Sequence, residues 1–280
     1  MPLSVLIFIS IGNWLMSLND QLSLAINGVA GRSWLFDSVV ALFLDNDLAK
    51  AGVIGCCFLA AWYSGKGVAA NNPRKILLTT IIAAVCVIAI TKTLSKTVFL
   101  PRPAIQSQRL YKLEGDQLTE MKRMSVRTPL DEESQKEHQA LVSGNIETND
   151  LGSFPSDHAG FFLVISFGIW LASRRLGWVA LGWTGFVILA GKMISAQHTP
   201  LDIAAGALVA LIVLAIFRFV AARRLFDELL GRISQLTVRH GALSSAFIFA
   251  IVFEMSSTLV HVRQFAGLLG AVKRHVLGLG

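Results

Sequence analysis

Long apolar runs, separated mostly by short basic connectors, dominate this amino-acid sequence. The runs cover about residues 48–64, 76–95, 155–172, 177–197, 201–221 and 242–260. Their lengths are close to the ~20 residues that a helix needs to cross the hydrocarbon core of a bilayer. Only 15% of the residues are charged, whereas roughly a quarter are charged in a soluble domain. The sequence therefore predicts an all-α fold, a polytopic integral-membrane helical bundle with about six transmembrane helices.

The positions of the Lys and Arg residues explain the net charge of +7. These residues fall mostly in short connectors beside the apolar runs, for example 66–75 and 173–175, and such an excess marks cytoplasmic connectors. We therefore interpret the charge as a sign of topology and expect no nucleic-acid partner. Alternation of the spans then places Arg102, residues 155–158 and His198 together at the non-cytoplasmic face.

Two segments lie outside this pattern. Residues 3–44 are apolar but contain charged side chains that would be costly at the bilayer centre, so we expect interfacial helices over at least 21–44. For residues 3–18, the sequence is compatible with either a membrane span or an anchoring helix. Residues 104–151 are polar and carry both signs of charge. We interpret them as a solvated, partly helical loop, and the alternative is a lid over a substrate site.

A polar turn, Ser153-Phe154-Pro155-Ser156-Asp157-His158, opens the third apolar run. Proline is favoured at the first position of a helix, so we expect a helix that begins at Pro155. The N–H groups of Ser156, Asp157 and His158 would then be free at the positive end of the helix dipole, a ready site for an anion. His158 adds a group able to move a proton near neutral pH. Taken alone, this short motif is weak, because an N-capping turn with a surface histidine also explains it.

His198 and Asp202 stand four residues apart across a helix start led by Pro200. At that spacing a carboxylate can accept the N–H of one ring nitrogen, fix the tautomer and leave the other nitrogen free to attack. In isolation, a structural His–Asp pair at a helix cap explains the spacing equally well. Lys192 lies in the preceding apolar run, where a buried ammonium normally has an anionic partner.

Arg102 stands between two prolines after the second apolar run, and its guanidinium matches the geometry of a phosphate in a bidentate way. Taken alone, an anchor at the lipid headgroups explains this residue better. The clusters around Arg102, Ser156 and His198 gain weight together, because the predicted topology brings all three to the same membrane face.

Together the three clusters resemble the type 2 phosphatidic acid phosphatase superfamily, whose relatives include vanadium-dependent haloperoxidases. The family pattern is a Lys, six residues, then Arg-Pro; later Pro-Ser-Gly-His; later Ser-Arg, five residues, His, three residues, Asp. Arg102-Pro103, residues 155–158, and His198 with Asp202 match this pattern, within a resemblance that covers about 21–221. The variant Ser-Phe-Pro-Ser-Asp-His resembles the bacterial undecaprenyl-pyrophosphate phosphatases in particular.

The resemblance implies a role for each matching residue. By this implication His198 is the nucleophile that forms a phosphohistidine, Asp202 orients it, and His158 protonates the leaving oxygen. The side chains expected to hold the phosphate are Arg102, Lys96, Ser156, Asp157 and Lys192. The family needs no metal, and we expect no cofactor.

Three departures from the family pattern bear on substrate preference and phosphate affinity. The position of the first family Lys holds Ser95, with Lys96 one residue later. Asp157 replaces the family's Gly and adds a carboxylate beside the expected phosphate. Gly191-Lys192 replaces Ser-Arg, which keeps the charge but loses the guanidinium fork. The residues expected to transfer protons are retained.

We therefore expect an integral-membrane lipid phosphatase at the non-cytoplasmic side of the bacterial inner (cytoplasmic) membrane, with a lipid phosphate as substrate and membrane lipids around it. Polyprenyl pyrophosphate is the first choice of substrate, and phosphatidate or phosphatidylglycerophosphate is the alternative. A lipid phosphotransferase using the same site and a non-catalytic lipid-binding relative remain open, whereas a haloperoxidase is disfavoured because those relatives are soluble. The expected division is 1–47 as anchoring or interfacial helices, 48–221 as the phosphatase-like core, and 222–280 as the basic connector, sixth span and tail.

Overall fold

The structure is a computed structural model, and most of its residues are helical. It describes residues 3–64, 73–98, 100–107, 109, 111–114, 117–127, 130, 132–143 and 152–256. The helices are α1 (Leu3–Asn27), α2 (Trp34–Asp45), α3 (Asp47–Tyr63), α4 (Pro73–Thr97), α5 (Glu132–Val142), α6 (Asp157–Ala172), α7 (Arg174–Trp183), α8 (Ala190–Ile194), α9 (Pro200–Ala221), α10 (Arg224–Arg239) and α11 (Gly241–Ser256). A π-helical segment, Thr184–Leu189, joins α7 to α8. In the described part the only sheet is a hairpin of β1 (Tyr111–Glu114) and β2 (Gln117–Glu120), so the predicted all-α class is confirmed.

Several helices are long and apolar enough to cross a membrane, and the chain is a membrane protein. Within the described residues these helices are α4, the continuous helix Arg174–Ile194 that contains α7 and α8, and α9. α10 and α11 together would add a fourth, although they bend by 113° at the break between them. α6 is apolar but has only 16 residues. Length and composition thus support three, or up to four, of the about six predicted spans.

α4, α6 and α9 pack against one another and form the centre of the bundle. Glycines allow the closest approaches between them, because a side chain at Gly160 of α6 would meet Val87 and Thr91 of α4. A side chain at Gly206 of α9 would likewise meet the carbonyl oxygen of Ser156. α4 therefore ends, and α6 and α9 begin, at the same end of the bundle, which is where the predicted site residues lie.

The N-terminal helices differ in how they fit the predicted interfacial segment. The second half of α1 packs on the bundle next to α8 and α9, and its polar residues Asn19, Ser23 and Asn27 are buried. α2 exposes large apolar side chains, among them Trp34 and Leu35. The prediction of interfacial helices over 21–44 thus describes α2 better than the end of α1.

The described part of the polar segment 104–151 is partly helical, as predicted, and it is attached to α1 and α2. Lys122 Nζ lies 2.5 Å from Asp20 Oδ2 in α1. The backbone N–H of Glu132, the first residue of α5, donates to the carboxylate of Asp45 at 3.0 Å. Residues 144–151 lie outside the described residues. The division of the chain into three segments stays a prediction.

Candidate active site

Three backbone hydrogen bonds tie the predicted clusters to one another at the end of the bundle where α6 and α9 begin. They are Ser153 N–H to Leu100 O (2.8 Å), Ala104 N–H to Ala196 O (2.9 Å) and Ser156 N–H to Asp202 O (3.0 Å). Each of these bonds joins a different pair of clusters. The three clusters therefore meet, and each is held in place by both of the others.

A cavity of about 240 Å³ lies where the clusters meet. Its wall contains three cationic side chains, Lys92, Lys96 and Arg102, together with Asp157 and His198. The remaining lining residues are Thr91, Ser95, Gly152, Ser153 and Pro155. Four of the predicted site residues thus line the cavity, and Ser156, His158, Lys192 and Asp202 do not.

Asp157, in this wall, forms an ion pair with Lys92 and a hydrogen bond with the ring of His158. Its Oδ2 lies 2.7 Å from Nζ of Lys92, and its Oδ1 lies 2.9 Å from Nδ1 of His158. Oδ1 also accepts the backbone N–H of His158 at 2.8 Å. A carboxylate held in this way fixes the tautomer of the imidazole and directs its Nε2 away from Asp157. Asp157 therefore orients His158, and it also lines the cavity, so its predicted contact with phosphate stays a prediction.

The helix start at this turn differs from the prediction. α6 begins at Asp157, not at Pro155, because the buried Ser156 is its N-cap and Oγ of Ser156 accepts the N–H of Ala159 at 3.2 Å. The N–H groups of Ser156 and His158 are also used, by Asp202 O and by Asp157 Oδ1. The expected row of free amides is therefore wrong for these residues, and Ser156 acts in the structure as a cap.

His198 and Asp202 come close without forming a hydrogen bond. Nδ1 of His198 lies 3.8 Å from Oδ2 of Asp202, and it has no hydrogen-bond partner among the described residues. Oδ2 of Asp202 instead accepts the backbone N–H of Thr199 at 2.7 Å, and Oγ1 of Thr199 accepts the N–H of Asp202 at 3.2 Å. This reciprocal capping box starts α9, with Pro200 at its first position as predicted. Asp202 therefore contributes both a negative charge beside His198 and a helix cap.

The rings of His158 and His198 are neighbours, with centroids 6.0 Å apart and planes inclined at 55°. Together with Asp157, they bring one ligand atom each to within 4.8 Å of one another, a spacing that also suits a metal ion. However, the same wall carries three cationic side chains, which repel a cation and attract an anion. The charge of the site thus favours a phosphate over a metal ion.

Lys192 is buried, with 1% of its surface exposed, and its ammonium donates to Oε1 of Gln197. The carbonyl oxygen of Lys192 accepts the N–H of Gln197 at 3.0 Å and that of His198 at 3.3 Å. Ala196 in the same loop has a positive φ of 58°. Lys192 therefore supports the loop that carries His198, and it does not line the cavity.

Lys92 lines the cavity although it was not among the predicted site residues. It precedes Ser95 by three residues, and side chains at this spacing share one face of a helix. Lys92 and Ser95, which occupies the position of the family Lys, both line the cavity. That spacing was the signal in the sequence by which Lys92 could have been found.

The PAP2 superfamily model matches residues 68–216, which is more than half of the chain. A bacitracin transport permease protein BcrC of Bacillus licheniformis is 41% identical over 84 residues. This match covers 30% of the present chain and 40% of the relative, so the chain spans less than half of that protein's length. No solved structure matches significantly. Because the family match includes all three motif clusters, the chain belongs to the PAP2 superfamily, the type 2 phosphatidic acid phosphatases and their relatives.

Proposed function

We propose that this protein is a metal-independent membrane lipid phosphatase that hydrolyses a phosphate ester or pyrophosphate through a phosphohistidine on His198. The observation that carries the proposal is the position of His198 in a cavity walled by Lys92, Lys96 and Arg102. A nucleophilic imidazole among three cations is suited to an anionic electrophile. Membership of a family of lipid phosphatases supports the same conclusion.

The charges of the cavity suit a phosphoryl group. Three positive side chains stand against the single carboxylate of Asp157, which is itself paired with Lys92 at 2.7 Å. Arg102 supplies a planar fork of donors for two phosphate oxygens, and Lys96 supplies a point charge. The negative charge that spreads over the phosphoryl oxygens during transfer is stabilised by these groups without a metal ion.

Two displacement steps account for the reaction. In the first, a ring nitrogen of neutral His198 attacks phosphorus, the bond from phosphorus to the leaving oxygen breaks, and protonated His158 gives its proton to that oxygen. In the second, water attacks the phosphohistidine, the P–N bond breaks, and His158 takes a proton from the water. Inorganic phosphate leaves, and both histidines return to their starting states.

The two carboxylates have matching roles in this scheme. Asp157 holds Nδ1 of His158 at 2.9 Å, so that Nε2 carries the transferred proton. Asp202, 3.8 Å from Nδ1 of His198, stabilises the positive imidazole that forms when the other nitrogen binds phosphorus. Each histidine thus has its own carboxylate.

For the membrane arrangement we propose that α3, α6 and α11 cross the bilayer in addition to α4, α7–α8 and α9, which gives six spans. The lipid tail lies between the helices, and the headgroup enters the cavity from the non-cytoplasmic side of the inner membrane. The charged start of α4 supports this orientation, because Lys75 there pairs with Asp227 of α10 at 2.7 Å, at the end of α4 opposite the cavity. Basic residues of this kind favour the cytoplasmic face.

Polyprenyl pyrophosphate remains the first choice of substrate, on the resemblance of the Ser-Phe-Pro-Ser-Asp-His turn. Phosphatidate and phosphatidylglycerophosphate are the alternatives. A phosphotransferase would use the same residues, with an acceptor hydroxyl in place of water. The missing family Lys at Ser95 and the replacement of Ser-Arg by Gly191-Lys192 favour a non-catalytic relative, but the retained catalytic candidates argue against it. The ammonium of Lys92 in the cavity wall weakens the first of these two arguments.

Phosphate release by the detergent-purified protein, with chelator present, tests the proposal. Polyprenyl pyrophosphate, phosphatidate and phosphatidylglycerophosphate are offered side by side to the wild type and to His198→Ala. We expect release by the wild type from at least one lipid, and none by the variant. Release that depends on added metal, or that survives in His198→Ala, would contradict the mechanism. A phosphorylated acceptor in place of free phosphate would identify a transferase.

A further inference from the structure

Three buried polar residues lie along one face of α1, outside the part of the chain that the family match covers. Asn19, Ser23 and Asn27 follow one another at intervals of four and are 7%, 4% and 2% exposed. Residues at this spacing lie on one side of a helix. Buried polar groups are costly unless they are hydrogen-bonded. The hydrogen-bond partners of the two asparagines therefore indicate which parts of the fold these side chains stabilise.

Asn19 binds the start of α9. Its Oδ1 accepts the backbone N–H of Leu201 at 2.9 Å. Leu201 is the second residue of α9, and the N–H groups of the first turn of a helix have no partner within that helix. The neighbouring N–H of Asp202 is satisfied by Thr199. Asn19 therefore completes the cap of α9 from a helix that lies 182 residues earlier in the chain.

Asn27 binds the end of α8. Its Nδ2 donates to the carbonyl oxygen of Ile194, the last residue of α8, at 2.8 Å. The last carbonyl groups of a helix also lack partners within the helix. Oδ1 of Asn27 is used as well, because it accepts the backbone N–H of Arg127 at 2.7 Å. The amide of Asn27 thus joins α8 to the polar segment that follows α4.

The two asparagines bracket the loop that carries His198. Ile194 and Leu201 are the residues at the two ends of this loop, and Asn19 and Asn27 are eight residues apart, which is about 12 Å along a helix. We propose that Asn19 and Asn27 are positioning residues that brace the His198 loop from both ends. This inference rests on the proposed function of His198 as the nucleophile.

His198 benefits from such support because no hydrogen bond among the described residues holds its Nδ1. Its Nδ1 lies 3.8 Å from Asp202, beyond hydrogen-bond distance, and has no hydrogen-bond partner among the described residues. The position of this buried ring therefore depends on its packing and on the backbone of the loop that carries it. A misplacement of about 1 Å can cost roughly a hundredfold in rate, so a loosened loop should lower kcat. KM should change less, because the cationic wall that binds phosphate is left in place.

The two asparagines use opposite atoms, and this difference gives a sharp test. Asn19 uses its oxygen, so Asn19→Asp keeps the acceptor while Asn19→Leu removes it. Asn27 uses its amide nitrogen toward Ile194, so Asn27→Asp loses that donor although the size of the side chain is unchanged. We expect kcat to fall about ten- to a hundredfold in Asn19→Leu and in Asn27→Asp. Asn19→Asp should retain most of the wild-type kcat.

Gln21→Ala is the matched control, because Gln21 is exposed on the same helix and its one described contact is a 3.4 Å bond to Ser17. A measurement of unfolding in detergent, made on each variant, identifies the variants that fail to fold. Wild-type kcat in folded Asn19→Leu and Asn27→Asp would overturn the brace. Equal loss in Asn19→Asp and Asn19→Leu would also overturn it, because the effect could not then come from the acceptor oxygen, which Asn19→Asp retains.

Hydrogen exchange at the Leu201 amide separates this inference from the proposed function. The exchange should be faster in Asn19→Leu than in the wild type and unchanged in Asn19→Asp, whatever reaction the protein catalyses. An inactive wild type with this exchange pattern would refute the phosphatase and leave the brace standing. An active wild type without the exchange pattern would refute the brace alone.

Discussion

Lys92 and Asp157 form an ion pair in the cavity wall, with Nζ 2.7 Å from Oδ2. Each of them is linked to a departure from the family pattern. Asp157 stands where the family has Gly, and Lys92 lies about one helical turn before Ser95, where the family has Lys. The additional carboxylate and the shifted ammonium thus meet in space, and the wall keeps its net positive charge.

Loss of Lys92 alone should weaken substrate binding, because it leaves the Asp157 carboxylate unneutralised beside the phosphate. We expect Lys92→Met to raise KM about tenfold, a modest effect for a pair whose lysine is half exposed. Asp157→Asn removes the uncompensated charge and should restore part of the lost affinity in the double variant. The measurement is a double-mutant cycle of KM in phosphate release.

Lys136→Met in α5 provides the control for that cycle, since its ammonium pairs with Glu132 in the exposed polar segment. It should leave KM unchanged. Strictly additive effects of Lys92→Met and Asp157→Asn would show that the two side chains do not act on the substrate as a pair.

Asp202 combines a charge beside His198 with one half of the capping box, and two substitutions separate these roles. Asp202→Asn keeps an oxygen for the Thr199 N–H but loses the charge, so we expect kcat to fall roughly a hundredfold with little loss of stability. Thr199→Ala removes the other half of the box and should cost about 1 kcal/mol of unfolding free energy with a smaller loss of kcat. The same loss of kcat in both variants would assign the effect to the helix cap.

The amino-acid sequence was sufficient to predict the apolar helices and the meeting of the clusters, but not helix α10, which lies where a basic connector is predicted. Apolar runs near the length of a membrane span predicted α4, α7–α8 and α9, and Pro200 correctly predicted the start of α9. The order of Arg102, His158 and His198 along alternating helices placed them at one end of the bundle. These features depend on composition, periodicity and local chemistry, which a single sequence shows directly.

Features that depend on particular side-chain hydrogen bonds, local as well as long-range, were missed. Proline chemistry favoured a helix start at Pro155, but the Ser156 side chain caps α6 two residues later. The bond between Asn19 and Leu201 joins residues 182 positions apart, and nothing local to Asn19 indicates such a partner. Sequence spacing therefore identified the chemical groups of the candidate site better than the hydrogen bonds that hold them.

Ala196 adopts a left-handed backbone conformation in the loop before His198, with φ of 58°. This conformation costs a residue with a Cβ roughly 1–2 kcal/mol, and glycine avoids the cost. We expect Ala196→Gly to raise the free energy of unfolding by about 0.5–1 kcal/mol in detergent. Ala204→Gly inside α9 is the control of opposite sign, because glycine within a helix costs about 1 kcal/mol. Destabilisation by both substitutions would mean that Ala196 is not strained.

The two ends of α4 predict which parts of the protein lie on opposite sides of the membrane. At its start, Lys75 pairs with Asp227 and Arg74 donates to Thr237 of α10 at 3.4 Å. At its end, Lys92 and Lys96 line the cavity. A helix of 25 residues is about 37 Å long, enough to separate the two groups by the thickness of a bilayer. α10 and the cavity should therefore face opposite compartments.

Single cysteines in a background without Cys56, Cys57 and Cys86 test this arrangement in intact cells. Gln235→Cys lies on α10, and Gln117→Cys lies in the hairpin that follows α4; both positions are exposed. A membrane-impermeant maleimide should label Gln117→Cys directly, but should label Gln235→Cys only after permeabilisation, because the proposed topology places the basic side in the cytoplasm. Labelling of both before permeabilisation would rule out opposite faces. The reverse pattern would keep the separation but place the cavity on the cytoplasmic side.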